Sequence, residues 1–379
     1  MLVVIFTTVL TLSAMYAPQP LLPVIVREFG VSRETAALLT TIAFVPLSIA
    51  PLFYGYILES LSPRRMLRIA ILLLALSEVA FFFGSSFSAL VGIRLFQGLL
   101  VPAILTALMT YISLVTPSAN VQRALGVYIS ATILGGFLGR ACSGLIATWF
   151  GWRYSFLILA ASLLGDFFLL RRLTADAPLS LARPTPRTLL TVLGRRIYLK
   201  IYLVVFCLFL VFAAVMNFLP FRLTEISRGA SEFRIGLMYT GYIMGIVTSL
   251  GAVRLGRLLG GELRAIVLGL VFFGLALFGL NLDRVMLLFL VMFLFCGAMF
   301  LVHATASGFV NRLARDNKGI VNGLYVSFYY AGGTVGSYAP GFLYRHFGWS
   351  GFILALSGVI GASLLIAASC LKDAPRLAS

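Results

Sequence analysis

The side chains able to do chemistry in this 379-residue chain are few, and most of them interrupt long apolar runs. Arg94 precedes Gln97 by three residues, so the two share one helical face, where the arginine could snorkel outward or bond main-chain carbonyls. Arg140 shares a face with Gly136, Ser143 and Gly144. A guanidinium beside small residues has room to grip an anionic or planar group with two parallel bonds, or to form an ion pair that locks its surroundings. Glu78 is the obvious partner for Arg140 at similar depth, or else a proton carrier. His303, followed by Thr305 and Ser307, is either hydrogen-bonded packing or a relay, since imidazole titrates near neutrality. Asn217 stands three residues before Pro220, and Asn322, Tyr325 and Tyr329 recur at helical spacing. These can line a cavity or bond helix to helix equally well. Asp166, one turn before Arg171 and Arg172, is expected in an interfacial ion pair.

Composition says what medium surrounds those groups. Hydrophobic residues make up 61% and charged residues 11% of the chain, against roughly 45–50% and ~25% in soluble domains. A soluble fold of this size cannot hide so much apolar surface, so lipid is the expected solvent. A disordered chain, a disulfide scaffold and a coiled coil are excluded. Cys142, Cys207, Cys296 and Cys370 form no CxxC pattern, so neither disulfides nor a structural metal is expected. Without a GxxxxGK[ST] loop or a nucleophile–base constellation, the chain reads as no enzyme and as needing no cofactor.

Twelve runs approach the ~20 residues that a bilayer crossing needs: 3–26, 35–58, 66–85, 88–113, 122–147, 152–170, 199–221, 234–254, 263–281, 285–308, 320–344 and 350–371. The one long connection carries Pro178, Pro184 and Pro186 and divides them six and six: 1–171, a linker 172–198, and 199–379. Basic residues such as Arg64, Arg65, Arg68, Arg171, Arg172, Arg195, Arg196, Arg254 and Arg257 gather in loops on the side of the N-terminus, which places both termini in the cytoplasm. The net charge of +17 therefore calls for no nucleic acid. Alternating apolar and basic residues from Arg187 to Leu199 suit a short helix on the inner surface. Met1 runs directly into an apolar stretch without the pattern of a cleaved leader. Inside the membrane each ionisable group costs roughly 2.5–3.5 kcal/mol and needs a partner, a cavity or a function.

A shift of 197 residues lays the fifth run on the eleventh. Gly126, Tyr128, Ser130, Gly136, Gly139, Gly144, Phe150, Gly151 and Trp152 fall on Gly323, Tyr325, Ser327, Gly333, Gly336, Gly341, Phe347, Gly348 and Trp349. The same shift lays Pro23 on Pro220 and Glu28 on Glu225. Six crossings apart is an even number, so the halves are parallel repeats about an axis along the membrane normal. Their glycines suit either tight static packing or surfaces that rock against each other.

On these residues the chain resembles the major facilitator superfamily. The segment from Gly55 through Glu59 and Ser62 to Arg64 and Arg65 is similar to the signature loop G-x-L-x-D-R-x-G-R-R/K, with Ser62 for the usual glycine and Pro63 for the usual arginine. Arg94-Leu-Phe-Gln97-Gly98 resembles the R-x-x-Q-G of proton-coupled members. Gly135 to Gly144 resembles the antiporter motif, with Arg140 where that motif has proline. Gln19 to Pro23 and Gly151-Trp-Arg153 look like YnfM-type inner-membrane exporters of the drug:proton antiporter kind. The resemblance implies an all-α membrane fold of twelve helices in two parallel-repeat six-helix halves, working as a monomer in a bacterial inner membrane. It further implies proton coupling through Arg94 and Gln97, with Glu78, His303 or the Glu28 end as proton carrier. Gln19, Arg140, Asn217, Asn322, Tyr325 and Tyr329 would line a cavity for a small molecule, and Glu59, Arg64 and Arg65 would form an inner gate. Export by proton antiport, import of a nutrient, and a non-transporting scaffold or receptor all stand as readings.

Overall fold

The computed structural model describes residues 1–57, 62–117, 120–173, 185–227, 229–314 and 318–373, and every regular element among them is helical. Twelve long helices follow the chain. They are α1 (Leu2–Phe29), α2 (Arg33–Ile57), α3 (Pro63–Phe83), α4 (Phe87–Val115), α5 (Val121–Phe150) and α6 (Trp152–Leu169), then α7 (Arg196–Ile226), α8 (Glu232–Leu258), α9 (Glu262–Gly279), α10 (Val285–Leu313), α11 (Lys318–Tyr338, resuming at Pro340) and α12 (349–373). Among the described residues eleven helical stretches are long and apolar enough to cross a membrane. The one that falls short is Lys318–Tyr338, where Asn322, Ser327, four tyrosines and the glycines dilute the apolar character of a helix packed between α2 and α7.

Local chemistry sets the boundaries. Ser62, Ser86 and Ser231 each accept a bond from the main-chain N–H three residues on, capping α3, α4 and α8. Gly151 (φ 95°) turns α5 into α6, and Gly348 (φ 66°), its counterpart at the 197-residue shift, turns α11 into α12. The amphipathic helix expected after Arg187 forms as Pro186–Gly194, capped by Thr185; from Arg196 onward the chain is already in α7.

Within α1–α6, α1 packs on α5, and within α7–α12, α7 packs on α11. A Cβ on Gly135 would lie 2.6 Å from the Val9 carbonyl oxygen, and one on Gly139 2.5 Å from the Ser13 Cα. Gly332 and Gly336 press in the same way on the backbones of Phe206 and Leu210. Every one of these four contacts maps onto its counterpart at the 197-residue shift. These glycines therefore join helices inside one half instead of forming the surfaces on which the halves slide. At the seam between the halves α2 meets α11 and α5 meets α8, with Gly144 against the Glu232 backbone.

Gly139→Ala should destabilise the protein by more than the ~1–3 kcal/mol usual for overpacking and so lower its thermal midpoint, because its obstacle is backbone and cannot rotate away. Gly165→Ala, with nothing within 4 Å of the added carbon, should leave it unchanged. Fluorescence-detected size exclusion after heating measures both.

Candidate functional site

The site begins with a break in α1. Pro18 has no N–H, so the Ala14 carbonyl loses the donor that a continuous helix would supply. The chain then tightens into a 3₁₀ turn at Gln19–Leu21, with Leu21 N–H bonding Pro18 O at 3.0 Å, before helix resumes at Leu22. Orphan carbonyls are costly where no water can reach them, and two neighbouring helices supply donors. From α4, Arg94 donates through Nη1 to Ala14 O (3.1 Å) and through Nη2 to Met15 O (2.6 Å). From α5, Ser143 Oγ donates to Ala17 O at 2.8 Å.

Arg94 is 1% exposed and spends its remaining bonds on Leu39 O of α2 (Nε, 2.8 Å) and Gln97 Oε1 (Nη1, 2.6 Å). Gln97 Nε2 donates to Ser77 Oγ at 3.1 Å. The space between Ala14, Ala43, Arg94 and Gln97 is filled, leaving no room for a water. Glu78 is fully buried beside this group, and the charge acting on it is that of Arg94. Neither of its carboxyl oxygens has a hydrogen-bond partner among the described residues. The pairing of Glu78 with Arg140 expected from depth does not form. The α3 helix packs against α4 and α6, whereas Arg140 on α5 turns toward α1 and α8.

Arg140, also 1% exposed, heads a second cluster. Its Nε donates to Gln19 Oε1 (2.6 Å) and its Nη1 to Gly136 O (2.6 Å). Gln19 Nε2 donates to Asn217 Oδ1 (2.7 Å), and Asn217 Nδ2 to Ser337 O (2.9 Å). Ser337 Oγ and Thr41 Oγ1 lie 2.8 Å apart and are hydrogen-bonded, either hydroxyl able to donate to the other. A guanidinium can only donate and a carbonyl only accept, so the two ends of this chain fix the orientation of both amides. The chain crosses from α5 through α1 to α7 and α11, and so joins the halves. Three aromatic rings surround the guanidinium carbon: Tyr16 at 4.1 Å, Tyr242 at 4.8 Å and Tyr239 at 5.0 Å from their centroids. Tyr239 Oη in turn donates to Met216 O at 2.9 Å, the carbonyl that Pro220 leaves without its helical donor.

The other candidates lie elsewhere. His303 Nδ1 is 3.0 Å from Tyr325 Oη, and its ring centroid is 4.4 Å from that of Tyr329, which stacks on Phe209 at 3.9 Å. Asn322 Nδ2 donates to Asn311 Oδ1 at 2.6 Å, and so belongs to the contact between α11 and α10. Arg64 reaches the Arg171 carbonyl, and Arg65 offers its main-chain N–H to Ser62; Glu59 lies outside the described residues. Asp166 forms no ion pair among the described residues. It is buried and accepts a bond from Thr7 Oγ1 of α1 at 3.0 Å, because the end of α6 faces α1 rather than water. The tyrosine cage was not foreseen: Tyr16 is one turn from Gln19, a usable signal, but Tyr239 and Tyr242 come from the other half.

Further ties cross the seam at the end of the molecule that carries Glu28. Arg27 pairs with Glu232 at 3.2 Å and Arg33 with Glu225 at 2.5 Å, while Phe233 N–H bonds Thr148 Oγ1 at 2.9 Å. Toward the Met1 end the halves approach through apolar contact, as where Gly323 faces Pro51.

Two repeated sets of six helices around a buried polar seam define a membrane transporter of the parallel-repeat kind. The sequence model of the Major Facilitator Superfamily matches residues 4–263 and 201–379, and the chain belongs to that family. It is a secondary transporter and not an enzyme. Among its relatives, the uncharacterized MFS-type transporter YybF of Bacillus subtilis is 26% identical over 373 residues, covering 94% of this chain and 88% of that one. The inner membrane transport protein YnfM of Escherichia coli is 25% identical over 369 residues, covering 94% and 86%. A bacterial homologue of the human lysosomal transporter Spinster, solved in an inward-facing, unoccupied conformation, superposes with a TM-score of 0.75 at 12% identity over 97% of this chain and 94% of that one. At that identity the likeness concerns the fold.

If the amide chain is cooperative, Gln19→Leu and Asn217→Leu should each destabilise the protein, and the double variant by less than their sum. A coupling of about 1 kcal/mol or more in a double-mutant cycle of thermal midpoints is expected.

Proposed function

We propose that this transporter exports a small organic compound in exchange for protons, and that Glu78 carries the coupling proton. The observation that carries the reading is the Glu78 carboxyl: fully buried, next to Arg94, and with no hydrogen bond to either oxygen among the described residues. Arg94 lies beside Glu78 as its nearest positive charge, but every hydrogen bond it donates goes to a carbonyl or to Gln97, which supports a carboxyl able to take up and release a proton. In this reading Arg94 and Gln97 position the acid, and Arg64 and Arg65 belong with Glu59 to an inner gate. His303, hydrogen-bonded to Tyr325, stays a secondary site for a proton.

The cargo binds where Gln19, Arg140 and Asn217 meet, with Tyr329, Tyr325 and Asn322 along the path toward the inner face. Residues 1–171 and 199–379 rock about that centre, joined by 172–198. The bias of basic residues toward the loops on the N-terminal side supports a reading with both termini in the cytoplasm of a bacterial cell and the chain working as a monomer in the inner membrane. The ion pairs Arg27–Glu232 and Arg33–Glu225 then close the outer end, and the cargo site opens inward.

The test is transport in proteoliposomes loaded with a mixture of metabolites and drugs under an imposed proton gradient, followed by mass spectrometry. A compound should move against the proton flow with the parent protein. Glu78→Gln should abolish gradient-driven movement yet retain exchange of the same compound at equal pH. Movement only with protons, or equilibration whatever the gradient, would sink the export reading in favour of an importer.

A further inference from the structure

We infer that the cargo is an organic anion, a single carboxylate or similar planar acid on an aromatic body, whose charge is held by Arg140. This deepens the transport reading above and rests on it.

The argument starts from charge. Arg27, Arg33, Arg153, Arg222 and Arg312 all meet carboxylates, and Arg94 has Glu78 beside it. Arg140 pairs with no carboxylate among the described residues, though it is as deeply buried as Arg94. A guanidinium carries five N–H donors. Arg140 directs Nε and Nη1 to Gln19 and Gly136, and its Nη2 bonds no acceptor among the described residues. Burying a charge without a counter-charge is costly, and here only ring faces and neutral dipoles balance it. That arrangement favours a ligand that brings the missing negative charge. A cationic cargo would add like charge in a low-dielectric seam, and a neutral one would leave the cost in place.

The surroundings specify the rest of the ligand. Beyond the three-tyrosine cage the neighbours are also rings: Tyr16 meets Phe44 at 6.0 Å, and Tyr242 meets Phe212 at 5.8 Å and Phe300 at 5.3 Å. Few other donors are present, so a multiply charged phosphate would be poorly served, while a flat monoanion could stack its body on these faces. The Tyr16 and Tyr242 hydroxyls, which bond no acceptor among the described residues, add two donors. The site also sits at the seam, on the chain that links Gln19 to Asn217, so a ligand there contacts both halves.

The test uses the purified full-length chain in lipid nanodiscs and three probes of one shape: 2-naphthoate, neutral 2-naphthamide and cationic 2-naphthylmethylammonium. By titration calorimetry, 2-naphthoate should bind at least about tenfold more tightly than the amide, and the ammonium probe more weakly still. Arg140→Gln should weaken naphthoate about tenfold or more, with Arg140→Lys in between. Amide binding as tight as the acid, naphthoate binding indifferent to Arg140→Gln in a folded variant, or no saturable naphthoate binding up to about 10 mM would each overturn the proposal. The comparison of acid with amide needs no variant, so a misfolded Arg140→Gln does not remove the test. The two readings fail separately. Gradient-driven flux of neutral or cationic solutes without naphthoate binding would defeat the anion site alone. Naphthoate held by Arg140 without flux of any solute would support the site and defeat transport.

Discussion

Much of this molecule follows from one missing hydrogen. Pro18 cannot donate to the Ala14 carbonyl, and in a membrane interior no solvent takes its place. The helix must break, and its loose carbonyls must be claimed by donors from outside. Arg94 claims two and Ser143 a third, which fixes α4 on one side of α1 and α5 on the other. The same break swings Gln19 into the seam, where it meets Arg140 and Asn217. Pro220 poses the same problem in α7, and Tyr239 answers it with a hydroxyl while lending its ring to the cage.

The glycine contacts determine where the protein is stiff. Where Gly135 and Gly139 touch α1, and Gly332 and Gly336 touch α7, backbone meets backbone with no side chain between to repack. Such helix pairs behave as single bodies. The seam has one such glycine contact, Gly144 against the Glu232 backbone, and is otherwise built from long polar side chains at one end and apolar contact at the other. Bonds of that kind can be exchanged for others as the halves tilt, whereas welded helices cannot slide.

The helices, the repeat and the face shared by Arg94 and Gln97 could all be read from spacing, because each is a local or periodic property. The partner of Arg140 could not. Depth along a helix says nothing about the direction in which a side chain leaves it, so Glu78 and Arg140 looked like a pair and proved to be on different sides of the N-terminal half. Asp166 misled for the same reason: arginines lie near it in sequence, but its helix end faces Thr7. The cage was hidden by abundance. With 15 tyrosines and 32 phenylalanines in the chain, no single ring stands out until α8 is folded against α5. The run 320–344 reads as a crossing from its length between charged and Gly/Pro breaks, although Lys318–Tyr338 falls short of the apolar character of the other eleven.

The amide chain ends on Arg140 in α5 and on Ser337 in α11, and these two positions correspond at the 197-residue shift. The repeat thus preserved the scaffold on both sides of its axis while leaving a cation on only one. A centre with a single fixed charge has an electrical consequence. Unloaded, it carries one positive charge through whatever part of the membrane voltage it crosses, at about 2.3 kcal/mol per 100 mV for a full crossing. Loaded with a monovalent anion it is neutral and feels no such force. Membrane voltage would then act on the return step of the cycle and leave the loaded step untouched.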